Sequence, residues 1–319
     1  MTLQNIRVGI VGVGMVGTPL MNWFLSRGYI LGRTLFCYDN DGTKGFSDKK
    51  HWDLVTKAHL LFVCVPTPSR KDGSCNVDII KSIIEDLPDR NRAIVIKSTV
   101  PPTFLKGLAT KYKKRGVFLF NPEFLTEKQA ERDFLNPVLQ IVAPVDDSGK
   151  PWTNVILDIL PKAYFQSPLQ VENTYTFYGA TAEEAAEAKY AINRFGAMKV
   201  TFFVILYLRC KILRLDFKNV WRLVTKDPRV GDSWAWALHG EILGYNGFCF
   251  PKDVMAWISE SRSLLKKISD QGLRRVFSRG IDFFDSMGIF NEEVHRWQGT
   301  TVEEMSIHDV ERDKKIEKK

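Results

Sequence analysis

Read from the N-terminus, the chain alternates short apolar runs with longer segments of mixed polarity. Residues 6–11, 35–38, 60–65, 93–97, 117–120 and 139–142 are brief, rich in β-branched or aromatic side chains and mostly apolar, and they read as strands. Between several of them, segments such as 18–25 and 78–84 repeat their apolar positions at helical spacing. Such alternation predicts an α/β domain with a parallel, doubly wound sheet and helices on both faces. A further strand over 174–178 is expected to close it.

Past residue 182 the pattern changes. Residues 183–213 are helix formers with no proline and a single glycine, Gly196, which predicts an unusually long central helix. Further helices are expected over 217–225, 254–267 and 273–287. The final DVERDKKIEKK run mixes both signs of charge and is expected to be frayed or helical in solvent. This divides the chain into an α/β domain over 1–180, an all-helical domain over 181–290 and a charged tail over 291–319.

Composition narrows the class without choosing a function. A hydrophobic fraction of 45% with 26% charged residues is that of a soluble globular protein. The net charge of +8 suits either phosphorylated ligands or a simply solvated surface. No Lys/Arg stretch is interleaved with aromatics, so a nucleic-acid partner is not expected. The five cysteines, Cys37, Cys64, Cys75, Cys210 and Cys249, are odd in number and form no metal-binding spacing, which predicts reduced thiols, no metal and a cytoplasmic setting. The most apolar late run, 200–208, is too short to span a bilayer, and no signal peptide is expected at the N-terminus.

The first chemical signal lies at the end of the first strand. Residues 6–20 read IRVGIVGVGMVGTPL, with Gly12, Gly14 and Gly17 around Met15 and Val16. In a strand–turn–helix of the Rossmann type, the first glycine permits the tight turn and the second lets the backbone approach a pyrophosphate. The third lets helix and strand pack closely. The helix start then offers N–H groups and a partial positive charge to phosphate. The second strand ends in Asp39, where an acid grips the ribose hydroxyls and repels a 2′-phosphate, so NAD is expected over NADP. Lys44 either touches that cofactor or is solvated.

Four more segments carry polar chemistry: VPTPSRKDGS at 65–74, KSTVPP at 97–102, NPEFLTE at 121–127 and GFCFPKD at 247–253. The first three each follow a predicted strand and would gather at the carboxyl edge of the sheet, where open α/β folds bind ligands. Lys189 and Asn193, in AEAKYAIN, lie four apart on one face of the long helix. Taken together and in order, these segments resemble the signature stretches of the UDP-glucose/GDP-mannose dehydrogenase family, from residue 6 to about residue 260.

The resemblance implies a fold and a chemistry. Family members join a Rossmann-type domain to a helical domain with a long central helix, and oxidise a primary alcohol of a nucleotide sugar twice, to the carboxylate, reducing two NAD. UDP-glucose going to UDP-glucuronate, on the way to polysaccharide, is the foremost case. Cys249 matches the cysteine that holds the aldehyde as a thiohemiacetal and then as a thioester, and a nearby cation such as Lys252 would favour its thiolate. Lys189 and Asn193 would donate to the sugar oxygen on which charge develops. Glu123 would handle the hydrolytic water, positioned by Thr99 and Asp253; which carboxylate removes the proton stays open. The resemblance also places Val65, Pro66, Thr67, Thr99 and Glu127 at the cofactor. Phe124, Leu125, Gly247 and Lys252, together with Glu123, Lys189 and Asn193, fall at the substrate. Arg229 resembles an arginine that reaches a neighbouring subunit's site, and the long helix implies a homodimer.

The chain also departs from the family. About sixty residues follow GFCFPKD, with helical periodicity, so the third, nucleotide-holding domain is expected to be missing or supplied by another chain. GYNGFC replaces a more glycine-rich loop, with Phe248 before the cysteine. Trp234 and Trp236 stand in a longer approach to it, where they would stack on a ligand or fill the core. Alternatives therefore stay open: a dehydrogenase of another nucleotide sugar or a small hydroxyacid, or an NAD-binding homologue without turnover.

Overall fold

A computed structural model describes residues 6–126, 129–163, 175–177 and 179–306. It contains strands β1 (Val8–Val11), β2 (Leu35–Tyr38), β3 (Leu60–Val63), β4 (Ala93–Ile96), β5 (Val117–Phe120), β6 (Leu139–Ile141), β7 (Ala143–Pro144), β8 (Tyr175–Phe177), β9 (Leu238–His239) and β10 (Ile242–Leu243). The helices are α1 (Gly17–Ser26), α2 (Lys49–Val55), α3 (Asp78–Asp86), α4 (Pro102–Leu105), α5 (Leu108–Lys111), α6 (Ala130–Leu135), α7 (Lys150–Ile159), α8 (Ala182–Leu213), α9 (Phe217–Thr225), α10 (Phe250–Leu265), α11 (Gln271–Trp297) and α12 (Val302–Met305). Two compact units result. One takes in the chain up to Thr67 and Asn76–Lys189; the other takes in Pro68–Cys75 and the chain from Tyr190 on.

The first unit is built on a six-stranded sheet in the order β2-β1-β3-β4-β5-β7. Its first five strands are parallel, and in β1, β3 and β4 every residue is buried, as a sheet covered on both faces requires. Val8, Ile10, Leu35, Leu60, Phe62, Ala93 and Val95 join Leu20 and Phe24 of α1 in one apolar core. The order reverses at β1, which pairs with β2 on one side and β3 on the other. That reversal is the switch point where the loops after the strands part and leave a crevice.

The edge departs from an all-parallel sheet. The run at 139–142 forms β6, and β7 just beyond it pairs antiparallel with β5 through Leu119↔Pro144 and Phe120↔Ala143. β8, within the strand expected over 174–178, pairs with β6 in a separate two-stranded sheet instead of closing the main one. Residues 174 and 178 lie outside the described residues.

α8 runs for 32 residues and enters the second unit after Lys189; in that unit α10 and α11 pack through Trp257, whose ring lies 5.2 Å from Phe284 and 6.1 Å from Phe277. Arg194 of α8 places its guanidinium 3.9 Å from the centre of the Trp257 ring and 5.5 Å from that of Phe284. The unit is not purely helical, since β9 and β10 form a small antiparallel hairpin. Asn291 of α11 clamps the following residue: its side chain accepts from the Tyr245 amide at 2.9 Å and donates to the Tyr245 carbonyl at 2.9 Å. No described helix is long and apolar enough to cross a membrane.

Candidate active site

In the first unit the site starts from three glycines, each with a different constraint. Gly12 has φ +89°, and a Cβ on it would fall 2.7 Å from the Cys64 carbonyl oxygen. A Cβ on Gly17 would fall 1.8 Å from the Gly12 oxygen. Gly14 faces open space, with nothing within 4 Å of its missing Cβ. Sterics thus demand glycine at 12 and 17 for the fold, while at 14 the opening is left for something outside the chain.

Asp39, just past β2, accepts from the Val13 amide through Oδ2 at 2.5 Å and from the Asp41 amide through Oδ1 at 2.8 Å. Its carboxylate is thereby fixed beside the glycine turn and keeps acceptor capacity for further donors. A cavity of about 730 Å³ opens alongside, lined by Gly12, Asp39, Trp52, Pro66, Ile79 and Ile83 among others. That volume is in the range of small-molecule and cofactor sites. An apolar slot for a flat ring, an acid at its edge and an open glycine at a helix start fit an adenine nucleotide with free ribose hydroxyls. Lys44 is exposed at the end of a 3-10 turn, and Met15 and Val16 are half-buried at the start of α1.

The loops after β3, β4 and β5 hold one another. Ser98 Oγ donates to the Val65 carbonyl at 2.6 Å, and Thr67 Oγ1 donates to the Thr99 carbonyl at 2.8 Å. Behind them the buried Lys97 donates from Nζ to Asn121 Oδ1 at 2.7 Å. Asn121 in turn donates to Gln140 Oε1 at 2.8 Å and to the Ile141 carbonyl at 2.5 Å. This chain fixes the start of the NPEF loop. Glu123 there accepts from the Leu125 amide through Oε2 at 2.7 Å, and its Oε1 lies 3.3 Å from Lys189 Nζ, both side chains buried. The Lys189 ammonium also stands 5.2 Å from the ring centre of Phe124. Burial lowers the Lys97 ammonium from its ordinary value, partly opposed by the charge of Glu123.

The second unit contributes another buried cluster, centred on Asp253. This carboxylate, fully buried, accepts from Asn193 Nδ2 at 2.6 Å through Oδ2 and from Lys252 Nζ at 2.6 Å through Oδ1. Burial alone would depress the Lys252 ammonium, but the adjoining Asp253, reinforced by Cys75 and Cys249, raises it overall. Cys249 is the N-cap of α10, with Pro251 in the first turn and Gly247, at φ +76°, two residues before. Phe248 places its ring centre 5.9 Å from Lys252 Nζ. Close packing of α8 on this loop needs Gly196, whose Cβ would meet the Phe250 ring at 2.5 Å.

Comparison with known proteins decides the family. Residues 44–150 match the NAD binding domain of the UDP-glucose/GDP-mannose dehydrogenase family, and residues 183–270 match its central domain, together more than half of the chain. The chain belongs to this family. A UDP-glucose 6-dehydrogenase of Pseudomonas aeruginosa is 30% identical over 264 residues, covering 78% of this chain and 54% of that protein. A GDP-mannose 6-dehydrogenase of Pseudomonas putida is 26% identical over 238 residues, covering 70% and 50%. The chain thus spans about half the length of these curated relatives. Among solved structures, a UDP-glucose dehydrogenase from Pyrobaculum islandicum superposes with a TM-score of 0.66 at 22% identity, covering 88% of this chain and 68% of that one.

The family's NAD-binding domain identifies the cofactor as NAD, which agrees with the acid beside the open glycine turn. Within the units, the structure brings Glu123 to Lys189, and Asn193 and Lys252 to Asp253. Arg229 is exposed and pairs with its neighbour Asp227, with Nε at 3.0 Å from Oδ1 and Nη2 at 2.6 Å from Oδ2. Glu127 lies outside the described residues. Trp236 is a packing residue, edge-on to Trp221 at 5.0 Å and beside Phe217 at 5.3 Å. Trp234 is instead 40% exposed, with φ +55°. Lys97 and Asn121 stand in the KSTVPP and NPEFLTE motifs, where residue type and spacing assign them no task; their burial reveals one.

Proposed function

We propose that this protein is an NAD-dependent nucleotide-sugar dehydrogenase that oxidises a primary alcohol to the acid, with UDP-glucose as the first substrate to test. The observation that supports this most directly is the pair of buried polar clusters, Glu123–Lys189 and Asn193–Asp253–Lys252, joined in sequence by one turn of α8 and accompanied by Cys249 at the start of α10. Buried ions cost stability even when paired, and such clusters gather at functional sites.

NAD at the Gly12–Gly17 turn supplies a hydride acceptor for each of two oxidations. In the first, the sugar alcohol loses its proton and a hydride and becomes an aldehyde. Lys189 and Asn193 donate to the oxygen on which charge develops. The Cys249 thiolate, favoured by the positive end of α10 and by Lys252, adds to the aldehyde carbon and yields a thiohemiacetal. Loss of the second hydride from that carbon gives a thioester. Water, deprotonated by one of the two candidate carboxylates, Glu123 or Asp253, attacks the thioester, releasing the acid and returning the thiol. A second copy of the chain seated on α8 completes the proposal, with Arg229 reaching the neighbour's substrate.

The test is NADH production across UDP-, GDP- and TDP-sugars, with product analysis. Two NADH per acid are expected from the preferred sugar, and Cys249→Ser should form no acid. Absence of NADH with every sugar of the panel sinks this reading.

A further inference from the structure

Residues 68–75 form a small hairpin whose far end carries a second cysteine to the first turns of α10. Ser69 and Cys75 pair antiparallel, the Arg70 amide donates to the Ser74 carbonyl at 2.8 Å, and the Gly73 amide donates to the Arg70 carbonyl at 2.9 Å. The hairpin seats tightly on α10: a Cβ on Gly73, at φ +77°, would meet Met255 Cε at 3.1 Å and its Cβ and carbonyl oxygen at 3.5 Å. Lys252 lies three residues before Met255, and Cys249 three before Lys252, so the three follow a stripe slanted across the helix, each step turned by about 60°. Two residues beyond Gly73, Cys75 falls beside that stripe. Its sulfur, like that of Cys249, acts on the Lys252 ammonium, and it also lies against the buried Tyr190 hydroxyl. Two thiols therefore flank one buried cation. Burial pushes Cys37 and Cys64 up to about 12 and leaves Cys210 2% exposed on α8; Cys75 is itself buried, and Cys249 is the half-buried thiol of the five.

We propose that Cys75 is the resolving partner of Cys249, and that a hydroperoxide closes a reversible Cys75–Cys249 disulfide that switches the site off. The Cys249 thiolate attacks the O–O bond; its sulfur gains the hydroxyl as a sulfenic acid, and the other oxygen leaves as an alcohol, or as water from hydrogen peroxide. The Cys75 thiolate then attacks that sulfur, the S–OH bond breaks, and the hydroxide leaves as water with the proton Cys75 gave up. Both electrons of the peroxide reduction come from the two sulfurs. Lys252 favours the thiolate form of each reactant. The exposed Pro68–Asp72 side of the hairpin leaves it room to bring the sulfurs to bonding distance, about 2.05 Å. The loss of activity rests on the reading of Cys249 as nucleophile, whereas the disulfide itself does not.

The experiment treats the full-length protein with hydrogen peroxide, alkylates the remaining thiols and maps the peptides by mass spectrometry, beside NADH assays before and after dithiothreitol. A linked peptide joining 75 to 249, loss of two alkylatable thiols per chain and recovery of both with dithiothreitol are expected. In Cys75→Ala, Cys249 should advance to sulfinic and sulfonic acids that dithiothreitol does not reverse. The proposal is overturned if Cys75 stays fully alkylatable while Cys249 oxidises, or if either cysteine links elsewhere. Should the untreated protein oxidise no sugar, peptide mapping still decides the disulfide and the fault lies with the proposed activity.

Discussion

Asp253 accepts from two donors, Asn193 on α8 and Lys252 one residue away, at 2.6 Å each. Removing its charge leaves a buried ammonium uncompensated, a change that costs about 3–5 kcal/mol in comparable buried pairs. Asp253→Asn is therefore expected to lower the urea midpoint markedly as well as abolish acid formation. The pair also sets a direction with pH. Lys252 is raised above its unfolded value of 10.5, so the stabilisation it brings is complete below that pH and is lost as pH climbs through the folded-state value. Urea titrations at pH 8 and pH 11 should show the gap between wild type and Lys252→Met closing at the higher pH. Lys97 runs the other way: depressed by burial, it costs the fold most at neutral pH and less as pH approaches 10.5. Residues of this kind were only half legible. A cysteine in GFCFPKD and an i, i+4 Lys–Asn pair announce chemistry by type and spacing. The hydrogen-bonded partner of each is a matter of three-dimensional packing, which is why Lys97 and Asn121 went unassigned.

At the scale of elements, the glycine turn separates folding from binding. Gly17→Ala forces a Cβ to 1.8 Å from a backbone oxygen and should destabilise the protein severely, while Gly14→Ala meets no atom of the chain. Gly14→Ala is expected to keep its melting temperature within about 2 °C of wild type and to bind NAD at least tenfold more weakly, as calorimetric titration would read. The parallel strands were legible because each is an uninterrupted buried run. What was not legible has physical causes. α2 is seven residues with only Val55 buried, too short for a period to emerge. β7 is two residues ending in proline, an edge pairing set by the chain reversal after β6. α11 continues to Trp297 past Gly288, a local stop signal, because Asn291 and Val294 are buried beyond it. On α8, Phe195, Phe202 and Leu213 are all more than half exposed and fall within about 20° of one another at 100° per residue. If the proposed second copy sits there, Phe202→Asp should convert a dimer to monomer in light scattering while leaving helicity unchanged.

For the whole molecule, the boundary between the two compact units is not a single point in the sequence. The chain passes from one to the other after Thr67, returns after Cys75 and passes over again within α8 after Lys189. Composition alone puts a boundary at residue 180, and it cannot mark the passages after Thr67 and Cys75, since an eight-residue excursion shifts neither charge nor hydropathy. The consequence is practical. A gene fragment opening at residue 190 would keep every helix from α9 onward yet leave the flank of α10 at Met255 uncovered, because its cover is encoded 180 residues upstream. Such a fragment should aggregate when expressed alone, and tethering the octapeptide 68–75 to its N-terminus by a flexible linker should restore solubility.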